Sequence, residues 1–598
     1  MRETMSLLTK HITWLFLLMI GSAAFADTAD PVEADKMHAR VFVEERFPSA
    51  VTCGKCHPNH YKQWSVSQHA YTLASPMFST MNAVLIQVFN GTTGDFCIRC
   101  HTPVGMTLGE PKAAAFADRS PIAREGVTCI ACHRMSEAYG KNNGRIAIDP
   151  GSINDPVKGP TGYSAEIQKL LESGEVTDQP GDDGRRIHGR AQKFFQMTTS
   201  AMCGTCHDVS SPPGFRLEEA FSQYKMSPAA KKGVRCQDCH MGKQHGKFTG
   251  DKLSNFEYGP AARIGSKWTR KRLLTNHMIV GPDYSIVHPA IFPHNPLAIR
   301  EKNGKSGMAT IDEWIQFDYK AGWGTDEFED KVSDDHKFPK RWSSIDDRYD
   351  ARDLVEANMK LLEQATAARL KLLQNGFSLG DIIVERADAK RVKFKIDVAN
   401  ATNGHPVPTG FDGERLVWLH VVVTDRDGKK VYESGDLDPN GDLRDLHSNY
   451  VHNHRLPLDK DLLSLQSRFL LRNERGGERE EVLPVNRSVT PLPFFRPARR
   501  ASILTGQPPN GRKHRQSISP GGRRWGRYEF SGDELSQGAP YAISVELKAA
   551  MVPVNLVSAI AVMGFDYNMS PRDVADAVVA GHQVLWTKKR VIDLSVDR

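Results

Sequence analysis

A chain of 598 residues with 25% charged and 40% hydrophobic residues exceeds what one hydrophobic core supports and has the composition of a folded multidomain protein. Its formal net charge of +7 is local: nine Lys or Arg and no acid lie between Arg496 and Arg527, which leaves about −2 for everything else. That balance excludes a nucleic-acid-binding chain.

At the N-terminus, Arg2 and Lys10 flank the start of the apolar run Ile12 to Ile20, and Ala24-Phe25-Ala26 places small residues at a cleavage position. This is the pattern of an export signal over residues 1–26. The apolar core is short for a membrane span, and no cysteine precedes Cys53 that a lipid could modify. The mature protein is expected outside the cytoplasm, in the periplasm or at the cell surface. The other long apolar run, Met551 to Phe565, is interrupted by Pro553, Asn555 and Ser558 and is read as a buried strand and turn, so no transmembrane span is expected in the mature chain.

After a polar lead-in carrying His38, the pattern Cys-x-x-Cys-His occurs five times between Cys53 and His240, as CGKCH, CIRCH, CIACH, CGTCH and CQDCH. All ten cysteines of the chain are used: Cys53, Cys56, Cys97, Cys100, Cys129, Cys132, Cys203, Cys206, Cys236 and Cys239. Two thiols three residues apart reach the two vinyl groups of one haem, and the following histidine falls on the same turn, placed to ligate its iron. The reading is five covalently attached haems c with His57, His101, His133, His207 and His240 as proximal ligands. Zinc would need a fourth ligand at every site, a thioredoxin-like dithiol accounts for one copy rather than five, and five disulfides would give no reason for a histidine after each pair.

The segments between the motifs are rich in Gly, Pro and polar residues. They bury little surface by themselves, so the porphyrins are expected to supply much of the core of residues 27–300. Five haems within so short a stretch cannot be far apart, which implies a chain of redox centres. Each iron needs a second axial ligand unless it binds a substrate. Eight further histidines are available between residues 27 and 300: His38, His60, His69, His188, His245, His277, His288 and His294.

From Arg352 to Gln374, apolar residues recur at Leu354, Leu361, Ala365, Ala368 and Leu372, and Asn375-Gly376 follows. The spacing predicts an amphipathic helix with a glycine C-cap, closing a helical connector over 301–376. From about Phe377 the period changes to two: Val392, Phe394, Ile396 and Val398 alternate with Lys393, Lys395 and Asp397. Leu416 to Thr424, Asp427-Gly428 and Val431-Tyr432 give a hairpin signal, and further strands are expected near 528–530, 541–547 and 584–591. The fold class is therefore α + β and multidomain: a mainly α and loop multihaem domain, a long helix, and an antiparallel β-sandwich over 377–598.

The segments CGKCHPNHYKQWSVSQHA, GVTCIACHR, SAMCGTCHDVSSP and GVRCQDCHMGK resemble the multihaem cytochromes c of the superfamily that includes the tetrahaem cytochrome partner of hydroxylamine oxidoreductase and that enzyme itself. The resemblance covers roughly residues 45 to 300. It implies distal ligation by His69, in the W-x-x-S-x-H-A segment, by His188 ahead of CGTCH, and by His277 and His288. His245 and His38 are further candidates, ahead of His60 and His294. The stretch NATNGHPVPTGFDGERLVWLHVVVTDRDGKKVYESGDLD is similar to β domains that follow haem domains in other exported multihaem cytochromes; His405 inside it is read as fixing a turn. Enzymes of the superfamily carry more motifs with a cross-linked tyrosine, or a lysine in place of one motif histidine. Here all five motifs end in histidine.

The reading that follows is an exported pentahaem cytochrome carrying electrons between donor and acceptor proteins in respiratory or extracellular electron transfer. Two alternatives stand beside it: an oxidoreductase acting on small nitrogen or sulfur compounds at one open haem, and a subunit of an extracellular haem filament. Arg496 to Arg527 is a candidate docking surface for an acidic partner. Asp436, Asp438, Asn440 and Gly441 match the opening of a calcium loop, but the twelfth position is His447, and a plain turn is preferred.

Overall fold

Each Cys-x-x-Cys-His pentapeptide lies on or at the end of a single helical turn in the computed structural model. Cys129–His133 and Cys236–His240 are helical throughout. In the other three motifs the histidine amide donates to the carbonyl of the first cysteine, at 2.9 Å for His57 and His207 and 3.3 Å for His101. That i to i+4 bond brings both thiols and the imidazole to one side of the turn. The structure describes residues 46–598 apart from 90, 92, 137–142, 163–164, 180–184, 211–215, 292–296, 303, 473–477, 483–510, 532–534, 536–538 and 595–598. The export signal, His38, His294, and Arg496, Arg499 and Arg500 lie outside the described residues.

Helix α1, Pro76–Val88, follows the first motif; Ser75 caps it and Pro76 occupies its first position. After the fourth motif the strands β1, Val209–Ser210, and β2, Arg216–Glu218, form a short antiparallel pair in which Val209 faces Glu218. The strand pair carries little apolar side-chain packing of its own, whereas α1 sends Met77 and Val84 into an apolar cluster with residues 551–578. Next to the motifs the clusters are small, such as Ala50, Trp64 and Ala70, or Val176, Ile187 and Ile264.

Helix α2 runs from Ile345 to Gly376, beginning seven residues before the expected Arg352. Its start is set by Ser344, whose hydroxyl accepts from the Asp347 amide, with Asp346 and Asp347 in the first turn. Its end differs from the expected glycine cap. Gly376 stays helical and Phe377 turns directly into strand, so no left-handed residue terminates the helix. The N-terminal half buries Ala351 and Val355 against Trp314, Phe317 and Trp342, and the C-terminal end places Leu373 in the β core.

Arg348 on this helix is 4% exposed. It is bonded to both oxygens of Glu329, donates to the Trp342 carbonyl at 2.8 Å, and lies 3.7 Å over the Phe338 ring. Arg348→Ala leaves the nearly inaccessible Glu329 carboxylate unpaired, and a loss of about 3–5 kcal/mol is expected. Chemical denaturation of the haem-loaded protein reads this; a loss below about 1 kcal/mol would show the pair to be dispensable.

The C-terminal part contains two four-stranded antiparallel sheets. The first orders β4 (Ile383–Ala387), β5 (Arg391–Asn400) and β11 (Arg523–Ser531), with β3 (Phe377–Leu379) also on β5. The second orders β7 (Lys430–Ser434), β6 (Leu416–Thr424), β12 (Tyr541–Ala550) and β13 (Gln583–Ile592). Val392, Phe394, Ile396 and Val398 of the first sheet share one core with Leu419, Val421, Val423, Ile543, Val545 and Leu547 of the second. Strands β6 and β7 pair around Asp427-Gly428, where Gly428 takes φ 79°. Three further strands, β8 (Arg468–Arg472), β9 (Glu478–Glu481) and β10 (Gly511–His514), form a smaller sheet.

The run Met551 to Phe565 is helical rather than strand: α3 spans Val554–Ile560 and packs with α4, Pro571–Ala580, and with Met77 and Val84 of α1. A short, nearly continuous apolar run has no periodicity to tell helix from strand. The carboxylates of the acidic loop are consumed locally. Asp438 accepts from the Asn440 and Asp442 amides, Asp436 pairs with Arg444 at 2.6 Å, and Asp442 accepts from the Asn555 amide at the start of α3. The loop is a turn.

The boundaries expected at 300 and 376 fall inside one compact unit, residues 47–598. Arg415 pairs with Asp283, and Lys513, whose side chain is 5% exposed, bridges Glu219 at 3.0 Å and Asp412 at 2.7 Å. Lys513 therefore serves the interior and not a docking surface. No helix among the described residues is long and apolar enough to cross a membrane.

Candidate haem-binding sites

One connected cavity of about 1900 Å³ is lined by all ten cysteines, the five motif histidines, and His60, His69, His188, His277 and His405. Its far wall is built from the β part, including Phe377, Val407, Ala549 and Met551. A space of this size, bordered by five dithiol turns, fits covalently held macrocycles.

The imidazoles are arranged in pairs. Ring centres of His57 and His188 are 6.4 Å apart with planes 5° from parallel. The corresponding values are 6.3 Å and 35° for His69 and His207, 6.3 Å and 25° for His133 and His277, and 6.2 Å and 12° for His240 and His405. With metal–nitrogen bonds of about 2.0 Å, two imidazoles coaxial on one metal have centres about 6.2 Å apart. His101 differs: among the described residues no imidazole faces it across such a gap. Phe78 instead lies flat on the face of its ring at 3.7 Å and 9°.

Several outward nitrogens are held, while Nδ1 of His188 is buried without a partner. Nδ1 of His57, His101 and His133 donates to the carbonyls of Ala261, Thr72 and Lys158 at 2.7, 3.0 and 2.8 Å. Nδ1 of His277 and His405 does the same to Thr275 and Pro406 at 3.0 and 2.9 Å. These bonds select the tautomer whose Nε2 is free to bind a metal. Burial pushes His69, His188 and His240 down to about 4 and His277 to about 3, which keeps these rings neutral, the ligating form. His207 is the exception: the Glu218 carboxylate, 2.9 Å from Nδ1, raises it to about 9.

The remaining histidines occupy other roles. His288 lies away from the cavity, its Nε2 bonded to the Phe317 carbonyl at 3.0 Å and its ring packed on Trp314 and Tyr319. His245 faces no motif histidine, and its Nδ1 is buried without a partner. His60 stands edge-on to His277 at 4.7 Å and to His57 at 6.1 Å. His405, which the sequence assigns to a turn, does bond within that turn and also stacks opposite His240. Its position five residues beyond β5 gives no local signal of that approach.

Contacts between thiols of different motifs order the sites. Cys53 neighbours Cys129, Cys100 neighbours Cys206, and Cys203 neighbours Cys236, each pair near enough for its thiols to interact, and Cys132 and Cys206 also interact electrostatically. The first site therefore adjoins the third, the third adjoins the fourth, and the second and fifth both adjoin the fourth.

Paired thiols, facing imidazoles and a shared cavity are those of a multihaem c-type cytochrome. Residues 52–134, which contain the first three motifs, match the family model for cytochrome c554 and c-prime. A solved structure similar to this chain is a penta-heme cytochrome c552 from Thermochromatium tepidum, with 15% sequence identity, a TM-score of 0.48, and coverage of 92% of this chain and 99% of that one. No curated protein matches the chain.

Proposed function

We propose that the chain is an exported pentahaem cytochrome c that passes electrons between redox partners along a branched set of closely spaced haems. The observation that carries this reading is the four imidazole pairs at 6.2–6.4 Å, a separation suited to axial ligands on both faces of one iron. When bound, haem supplies one-electron iron chemistry. The chain's own groups do the rest. The thiols fix the macrocycles, the Nδ1 acceptors orient His57, His133, His207, His277 and His405, and the buried imidazoles facing four motif histidines close those sites to other ligands. Neighbouring thiols of different motifs support edge contact between successive haems, with the fourth site as the junction. The export signal at residues 1–26 supports assembly outside the cytoplasm, where such thioethers are made in bacteria. Arg515 and Arg523 pair with Glu219 and Asp397, so docking of an acidic partner on the described part of the basic stretch would fall to Arg524 and Arg527.

The His101 site favours a second reading. With no imidazole opposite it among the described residues, a small nitrogen or sulfur compound could take that position in an oxidoreductase. Electron paramagnetic resonance of the ferric protein tests both. Four low-spin centres and one high-spin centre are expected. Five low-spin centres would remove the oxidoreductase reading, and fewer than four would sink the assignment of four paired sites.

A further inference from the structure

Four proximal imidazoles have a defined acceptor on Nδ1, and one of the four acceptors is charged. His57, His101 and His133 donate to backbone carbonyls, whereas His207 donates to Oε1 of Glu218 at 2.9 Å. The placement is built in: His207 immediately precedes the β1–β2 pair, and the register that sets Val209 against Glu218 returns the carboxylate to the ring. Glu218 is 8% exposed. Cations nearby are committed elsewhere. Arg415 is held by both oxygens of Asp283, and Lys513 and Arg515 are bound to Glu219, the next residue.

A carboxylate hydrogen-bonded to a ligating imidazole makes the ring a stronger electron donor. A fixed negative charge in a water-poor site also favours the more positive oxidation state of a metal beside it. Both effects stabilise the ferric over the ferrous state. The site that receives them is the fourth, which the thiol contacts place between the third, the second and the fifth.

We infer that Glu218 is a positioning residue that sets the reduction potential of the His207 iron below those of its neighbours, making the branch point the least readily reduced site. Electrons then reside on the outer sites and cross the junction as an uphill step. The inference rests on the reading of His207 and His69 as the axial pair of one haem.

Spectroelectrochemical titration of the haem-loaded protein tests it, with His69→Met used to mark the spectrum of the same site. In Glu218→Gln, one of the five transitions is expected to shift upward by at least tenfold in its reduction equilibrium, 59 mV for one electron. The shifted transition should be the one marked by His69→Met, and in the unaltered protein it should lie lowest. No shift of that size, a shift shared evenly among the sites, or a shift in a different haem would overturn the inference. If the Gln variant fails to accumulate with its haems, Glu218→Asp, which withdraws the carboxylate by one methylene, is expected to move the same transition upward, and an unmoved transition there overturns the inference equally. Failure of the underlying reading is distinct: His69→Met would then alter no haem spectrum at all.

Discussion

With all ten cysteines replaced by serine, the chain is expected to lose the fold of residues 50–282 while keeping much of the β core. Without the macrocycles, the apolar lining of a cavity of about 1900 Å³ is left facing water, and about 25 cal/mol is forfeited for each Å² so exposed. The clusters formed by the motif turns themselves are small, and the larger apolar clusters reach this half mainly at Tyr71, Leu73, Ala74, Met77, Val84 and Phe116. The shared core of the two sheets is continuous, and only its edge, at Leu373, Phe377, Val407, Val417 and Ala549, borders the cavity. Hydrogen exchange should show protection retained through Val392–Val398, Leu419–Val423 and Ile543–Leu547 and lost around the motifs. Native-like protection over 50–140 in the cysteine-free chain would refute the claim that the macrocycles are the core of that half.

What the sequence makes legible follows from the range of the interactions involved. The pentapeptides are local: five residues fix two thiols and one ring on a single turn, so the proximal histidines are readable without a fold. The strands with period two are also local, and their spans lie within the elements observed. Which imidazoles face the motif histidines is set by tertiary approach. His69 meets the fourth motif rather than its own, and His405 reaches His240 from beyond the first β-sheet strands, because the β part forms a wall of the haem cavity. His288 is a ligand candidate only through the resemblance, and its ring is drawn against Trp314 with Nε2 on the Phe317 carbonyl. The early start of α2 was encoded by Ser344 and its two acids, outside the apolar repeat that defines the helix interior. The helix over Val554–Ile560 had no such boundary signal apart from Pro553, and only packing against α1 and α4 determines its form.

His405 gives the other large expected effect, because its two roles predict different results. The turn it occupies is held without its ring: the Asn400 amide side chain donates to the His405 carbonyl at 2.9 Å and to the Ile518 carbonyl at 2.8 Å. Replacing the side chain should therefore spare the backbone and remove only what the ring does, which is to stand 6.2 Å from His240 in a near-parallel plane. In His405→Ala the ferric protein should show one low-spin centre fewer than the unaltered protein, with imidazole added from solution restoring it. In His405→Met a thioether takes the axial position, and one midpoint potential should rise by on the order of 100 mV. A residue that only fixed the turn would leave the spectrum and the five potentials unchanged while lowering thermal stability. That outcome would remove the β part from the electron path, whereas loss of the low-spin signal makes the C-terminal sheets a source of a haem ligand, tying the two halves of the chain to one redox unit.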